Sequence, residues 1–347
     1  MSLTHTLGIA LPILQAPMAG AQGSKLAIAV ARAGGLGALP CAMLSSEAMA
    51  EELAVIRRTT SAPINVNFFT HVPPVPDADA MARWQAALAP YYAEFGLDID
   101  AVPAGTGRRP FDAAACDVIE PFRPEVVSFH FGLPEAALLE RVKAWGAVVL
   151  SSATTVEEAE WLEANGADAI IVQGLEAGGH RGIFLTEDLT TQVGTFALLP
   201  QVRASVDVPL IAAGGIADAR GVAAARALGA DAVQVGTAFL CCPESTISVI
   251  HRRALMSDAA CHTALTNLYS GRPARGIVTR LMCELGPMSD AAPAFPLATA
   301  AIAPLRADAE ARGLGDYSPL WAGQNASCCR EMPAAQVVAE LSRGVID

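Results

Sequence analysis

The sequence predicts an α/β chain folded as a TIM-type (β/α)8 barrel with a helical C-terminal extension, and three observations predict it. Short runs rich in Val and Ile recur between alanine-rich stretches, the pattern of strands buried on both faces of a parallel sheet. Eight such runs precede residue 240, the number that closes this barrel. Of the 347 residues, 52% are hydrophobic and only 17% charged, which supplies a large core and excludes a mainly disordered chain.

Taken in order, the first run, Pro12 to Ala16, leads to a helix from Ser24 to Ala33, and the second, Leu36 to Leu39, to a helix from Ser45 to Arg58. The third, Ile64 to Phe68, opens a long connection, Thr70 to Glu125, that holds a helix from Met81 to Phe95. Val126 to His130 and Ala147 to Ser151 are followed by helices at Pro134 to Ala144 and Thr155 to Asn165. The sixth run, Ala169 to Gln173, enters a second long connection, Gly174 to Val208, and the seventh, Pro209 to Ala213, precedes a helix from Asp218 to Leu228 and the last run, Ala232 to Gly236. Several helices open on a capping Ser, Thr or Asp, and three end at Gly34, Gly166 and Gly229, where glycine supplies a left-handed cap. The expected division is residues 1–240 as the barrel, with an insertion at about 70–125, and residues 241–347 as a mainly helical extension that packs on the barrel and contributes to the site. That last segment lacks strand rhythm and carries breaks near Gly271, Pro273 and Gly286.

The net charge of −12, with no basic run, excludes a nucleic-acid binder, which needs a cationic footprint on phosphate. The longest uncharged apolar stretch, Ala291 to Leu305, is interrupted by Pro293, Pro296 and Pro304, so no membrane span is expected. Leu7 to Ala21 is uncharged as well, but no Lys or Arg precedes Lys25 and prolines interrupt it, so a cytoplasmic protein is expected rather than a secreted one. The 8 cysteines include two adjacent pairs and no C-x-x-C, so reduced, mostly buried thiols are expected and no metal site.

In a parallel barrel the active face is built at the strand C-termini. There the sequence places Gln15-Ala16-Pro17-Met18, Asn65-Val66-Asn67, Ser128-Phe129-His130 and Gln173. The seventh and eighth runs end in Gly214-Gly215 and in Gln234-Val235-Gly236-Thr237, small residues that let backbone N–H groups approach a phosphate. Either glycine group alone also reads as a simple turn; the two together point to phosphate. Neither G-x-G-x-x-G nor a P-loop opens a βα unit, which leaves a phosphate-bearing cofactor inside the barrel mouth. Gly174 to Gly182 sets four glycines around His180, whose imidazole is the candidate catalytic group. His130 shares a strand face with Ser128 and reads equally as a core histidine or a donor to substrate. His71, His251, His262 and His5 lie in no supporting pattern.

These motifs resemble those of the nitronate monooxygenases, the family formerly called 2-nitropropane dioxygenases, in its bacterial class I. The resemblance rests on Gln15 to Met18, Gly34 to Gly37, Asn65 to Phe69, Ser128 to Gly132, Gly174 to Gly182, Ala212 to Ile216 and Gln234 to Phe239, and continues through Ser270 to Gly276 and Trp321 to Gln324. It implies a flavoprotein with bound FMN, held around Ala16, Pro17, Met18, Asn67, Gln173 and Gly178. The phosphate would lie against Gly214, Gly215, Gly236 and Thr237, with Gln234 and Val235 beside them. It implies His180 as the catalytic residue, with His130 and Ser270 toward the substrate, although Ser270 before Gly271 also reads as a turn residue. The implied reaction is oxidation of an alkyl nitronate, propionate 3-nitronate being the family's usual candidate, by O2 through a flavin semiquinone to a carbonyl compound and nitrite, a detoxification. His180 would act either protonated, pairing with the anion, or neutral, as a base toward a nitroalkane. A related FMN barrel reductase, acting on NADH and quinone or on an enoyl thioester, is the alternative. A monomer or homodimer is expected.

Overall fold

The computed structural model describes residues 2–101 and 108–345. Eleven strands occur among them: β1 (Ile13–Gln15), β2 (Gly37–Pro40), β3 (Ile64–Phe69), β4 (Val126–His130), β5 (Val148–Ala153), β6 (Ala169–Gln173), β7 (Gly179–His180), β8 (Leu210–Ala213), β9 (Ala232–Val235), β10 (Thr263–Thr266) and β11 (Ala274–Ile277). Eight of them form one parallel sheet in the order β1-β9-β8-β6-β5-β4-β3-β2. A bridge between Leu14 and Leu36 joins its two ends, with the Gln15 N–H donating to the Leu36 carbonyl at 2.9 Å. The eight expected runs are these eight barrel strands.

Helices α1 (Leu3–Leu7), α2 (Ser24–Arg32) and α3 (Ser46–Thr59) precede the insertion, which carries α4 (Ala78–Phe95) and α5 (Ala113–Ile119). Around the rest of the barrel run α6 (Ala136–Ala144), α7 (Val156–Ala164), α8 (Thr195–Ser205) and α9 (Ala219–Ala227). The caps act as the sequence predicts: Ser45, Thr155 and Asp218 accept from the backbone N–H three residues on. Inside the barrel Leu14, Leu36, Val126, Leu150 and Ile211 fill the axis, and Leu3 and Leu7 of α1 join them. Each such side chain gains roughly 1.5–3 kcal/mol by leaving water.

Beyond β9 come α10 (Val249–Leu255), α11 (Arg280–Leu285), α12 (Ala298–Ala311) and α13 (Ala334–Ser342). The insertion packs on this segment: Trp84, Leu88, Tyr92 and Phe95 of α4 share one cluster with Leu268, Ile302, Leu305 and Tyr317. Polar ends are satisfied there too, since the Trp84 indole donates to the Ala298 carbonyl at 3.2 Å and the Tyr92 hydroxyl to that of Ala301 at 2.7 Å.

Besides the short helices α1 and α5, two features near the histidine loop depart from the sequence reading. The segment after residue 240 is not without strands: β10, β11 and β7 form an antiparallel sheet in the order β10-β11-β7. These strands are short and hold only one Val or Ile, Ile277, and Gly276 sits inside one because its backbone lies against Leu320 and Trp321. The second departure is α8, hidden by the absence of a capping side chain at Gly194 and by Pro200 within it. The cap comes from elsewhere, as the Glu176 carboxylate accepts from the Thr195 N–H at 2.8 Å.

Candidate active site

The C-terminal ends of the barrel strands open into one cavity of about 270 Å³. Ala16, Pro17 and Met18 line it after β1, Asn67 from β3, His130 from β4 and Gln173 from β6. Gly178 and His180 come from the loop that follows β6, Gly214 and Gly215 from the end of β8, and Gln234, Val235, Gly236 and Thr237 from β9 and its exit. Ser270 does not line the cavity but meets the ring of a residue that does.

The part expected to hold phosphate is built from backbone. Gly214 and Gly215 turn through φ of 115° and 74°, and a Cβ on Gly214 would stand 2.9 Å from the Thr195 hydroxyl. Among the described residues the N–H groups of Gly215 and Gly236 meet no acceptor. The Thr237 hydroxyl accepts from the Gly323 N–H at 3.0 Å, which leaves its own proton free to donate. Nearby, the buried Oε1 of Gln234 has no hydrogen-bond partner among the described residues. Unmade donors and an unmade acceptor around one cavity are what a polar, phosphate-bearing ligand would satisfy.

His180 is fixed through its main chain. It pairs with Ala274 of β11, and its carbonyl accepts from Gln173 Nε2 at 3.0 Å and from His130 Nε2 at 3.1 Å. The other end of the Gln173 amide accepts from the Gly182 N–H at 2.8 Å, so this side chain clamps the histidine loop from both sides. Beneath it the wholly buried Arg181 donates to the carbonyls of Gln173 and Gly174 and to Gln192. The imidazole packs among Phe69, Phe131, Phe295 and Trp321, and its Nε2 lies 2.9 Å from Ser270 Oγ. Its Nδ1 has no partner among the described residues. Phe131 itself holds φ at +77°, a costly conformation for a residue with a side chain, and so brings its ring to the Phe69 and Phe295 rings.

His130 resolves into one tautomer. Because Nε2 must donate to the His180 carbonyl, Nδ1 accepts from the Ser152 hydroxyl at 2.6 Å, and both nitrogens are engaged by protein. Sequence reasoning missed His71, which packs edge-on against Phe295 at 4.8 Å between ring centroids, and Ser152, Arg108 and Trp321, which line the cavity. For His71 a signal existed: Asn67, Phe69 and His71 continue the two-residue alternation of β3 past its end. Arg108 and Trp321 carry no such register.

Burial lowers the imidazole pKa values from the ordinary 6.5, to about 3 at His130 and about 4 at His71 and His251. His180 lies well below 6.5, through burial first and then through Arg108, His130, Arg272 and His71 around it. These groups stay neutral when folded but protonate below pH 6.5 when unfolded, so the unfolded chain binds more protons there. Their contribution to stability is complete above pH 6.5 and is lost as pH falls toward the folded values, at up to about 1.4 kcal/mol per imidazole per pH unit. The thermal midpoint is therefore expected to hold nearly level above pH 7 and to drop by several degrees between pH 6.5 and 5; a level profile across that lower interval would show that these imidazoles are not buried in neutral form.

Comparison with known proteins identifies the family. A family model described as nitronate monooxygenase matches residues 1–344. The chain belongs to the nitronate monooxygenase family. Enzymes of this family are flavin-dependent oxidoreductases, and the chain is an enzyme of that class. It is 42% identical to the nitronate monooxygenase of Paraburkholderia phytofirmans, over 99% of this chain and 94% of that one. Identity to the Pseudomonas aeruginosa nitronate monooxygenase is also 42%, over 97% of both. Among solved structures, a nitroalkane oxidase from Streptomyces ansochromogenes superposes with a TM-score of 0.90 at 40% identity over 99% of both chains. FabK from Thermotoga maritima superposes at 0.73 with 28% identity, over 98% of this chain and 94% of that one.

Proposed function

We propose that this nitronate monooxygenase family member binds FMN and oxidises alkyl nitronates with O2 to a carbonyl compound and nitrite, with propionate 3-nitronate as its substrate. The observation that carries the reading is a neutral imidazole, His180, held by its main chain and lining the same cavity as the glycine-built anion cradle of Gly214, Gly215 and Gly236.

The residues present fit FMN. Gly214, Gly215, Gly236 and Thr237 would hold its phosphate, Gln234 would take one of its donors, and Ala16 to Met18, Asn67 and Gly178 would border the rest. FMN, when bound, supplies the acceptor for the nitronate's electrons and the route from there to O2. The protein's part is to orient substrate and manage protons. Ser270 Oγ lies 3.3 Å from the Arg272 carbonyl, to which it can donate, and so can accept from His180 Nε2. That relay leaves Nδ1 of His180 with its lone pair, ready to take the α-proton of a neutral nitroalkane. A nitronate has already lost that proton and needs from His180 only orientation and a hydrogen bond. With both ring nitrogens engaged by protein, His130 serves to position the His180 carbonyl.

The test is the visible spectrum of the purified protein as propionate 3-nitronate is added without oxygen, followed by nitrite release in air. Loss of the oxidised flavin bands on mixing and nitrite on aeration are expected. A flavin that ignores nitronate but is bleached by NADH would replace this reading with that of a reductase, and a protein that cannot be reconstituted with FMN would remove the cofactor. Ser270→Ala separates positioning from chemistry: turnover of nitroethane is expected to fall by about tenfold, as for loss of one hydrogen bond to the base, while turnover of ethyl nitronate changes far less. An equal fall on both substrates would argue against the relay.

A further inference from the structure

We infer that Arg108 receives the distal carboxylate of the substrate, which makes short nitronates bearing a second anionic group the preferred class; this rests on the proposed nitronate oxidation. Arg108 enters the cavity from the insertion, half-buried, and lines the same space as His180. Among the described residues its one hydrogen bond runs from Nη1 to Thr299 Oγ1 at 3.2 Å, and no carboxylate lies within ion-pairing distance. The other guanidinium groups nearby are engaged. Arg306 pairs with Glu310 at 2.7 Å, Arg181 is committed to carbonyls and Gln192, and Arg272 stacks on Phe131 at 4.0 Å while donating to the Ile183 carbonyl. The carboxylates that line the cavity are engaged as well, Glu310 by Arg306 and Ser318, Glu176 by Thr195. Among the described residues Arg108 is thus the cavity-lining guanidinium with no carboxylate to balance its charge, and its unused planar donors have the geometry that grips a carboxylate in two places.

Its reach is bounded by Phe295. The His180 ring lies 5.3 Å from that ring's centroid and the Arg108 guanidinium carbon 5.7 Å from it, so the two groups stand no farther apart than those lengths laid end to end. With a hydrogen bond of about 2.9 Å at each end, a ligand held by both groups can therefore carry no more than a short aliphatic spacer. A nitronate at His180 with a carboxylate a few carbons away spans it, whereas a simple alkyl nitronate leaves the guanidinium with water.

The experiment compares Arg108→Met and Arg108→Lys with the unmodified holoenzyme on propionate 3-nitronate and on ethyl nitronate. For Arg108→Met, KM for propionate 3-nitronate is expected to rise roughly 10- to 100-fold with kcat nearly unchanged, as for a lost charged hydrogen bond, while ethyl nitronate is hardly affected. Arg108→Lys recovers part of the loss. Equal weakening of both substrates overturns the role of Arg108 and leaves nitronate oxidation standing; inactivity of the unmodified holoenzyme on both overturns oxidation and this inference together. Should Arg108→Met not fold, inhibition of the unmodified enzyme decides. Succinate is expected to compete with ethyl nitronate about tenfold more tightly than propionate does, and equal inhibition by the two overturns the proposal.

Discussion

Replacing His180 with asparagine is expected to leave the flavin content of the purified protein intact and to lower turnover of nitroethane by roughly 10²- to 10⁴-fold, the range for loss of a positioned general base. Flavin content should survive because the anchors of residue 180 are main-chain groups: its pairing with Ala274 and the bonds its carbonyl accepts from Gln173 and His130 do not use the imidazole. Asparagine can still meet Ser270, but it has no basic nitrogen. Turnover of ethyl nitronate, which has no proton to give up, should fall much less. Because the His180 pKa lies well below 6.5, acidification from pH 8 to 6.5 should not protonate the base in the unmodified enzyme either. Nitrite release from nitroethane and from ethyl nitronate, measured beside the visible spectrum, gives all these quantities. Undiminished nitroethane turnover by the variant would remove His180 from the chemistry.

Gly236→Asp is expected to yield a folded protein that purifies without flavin. Gly236 has φ −113°, which any residue adopts, and a Cβ there would approach Ala16 Cβ at 3.3 Å and the Met18 sulfur at 3.5 Å. The backbone therefore tolerates a side chain with small shifts, and the decisive change is the charge. A carboxylate about 4 Å from a phosphate is opposed by about 4 kcal/mol per pair of unit charges at an effective dielectric near 20, enough to weaken binding by about three orders of magnitude. Gly236→Ala is the control, since it adds the carbon without the charge and should retain flavin. Purification of Gly236→Asp with a full flavin complement and an unchanged melting temperature would count against phosphate at this end of the barrel.

What was legible in the sequence followed from periodicity and from chain-local geometry. The eight barrel strands show as apolar runs because both their faces are buried, and the glycine pair at the end of β8 shows because its left-handed turns disfavour side chains. His180 stands out for the same reason, framed by glycines. What was not legible depends on distant partners. Nothing near Ser270 says that it will lie beside the His180 ring, and β11 is a strand because β10 and the histidine loop flank it, not because Ala274 to Ile277 favour extension. The helix α8 escaped because its cap is the Glu176 carboxylate, 19 residues earlier in the chain. Gln173 and His130 were read as ligand-facing, and the structure adds that their side chains are committed to the His180 loop.

The pairing of β7 with β11 also bears on the order in which this enzyme comes into being. The imidazole contacts Ser270, 90 residues later, and its backbone is clamped by Ala274. Translation proceeds from the N-terminus, so every barrel strand has been synthesised before Ser270 and Ala274 have been made. A nascent chain at that stage carries the whole barrel sequence and a histidine still without its Ser270 and Ala274 partners. Contacts this distant in sequence form late in folding, because a long loop must close first. Competence toward a neutral nitroalkane should accordingly be the last property the chain acquires, with nitroethane turnover trailing the recovery of helical signal when the denatured protein is refolded in the presence of FMN.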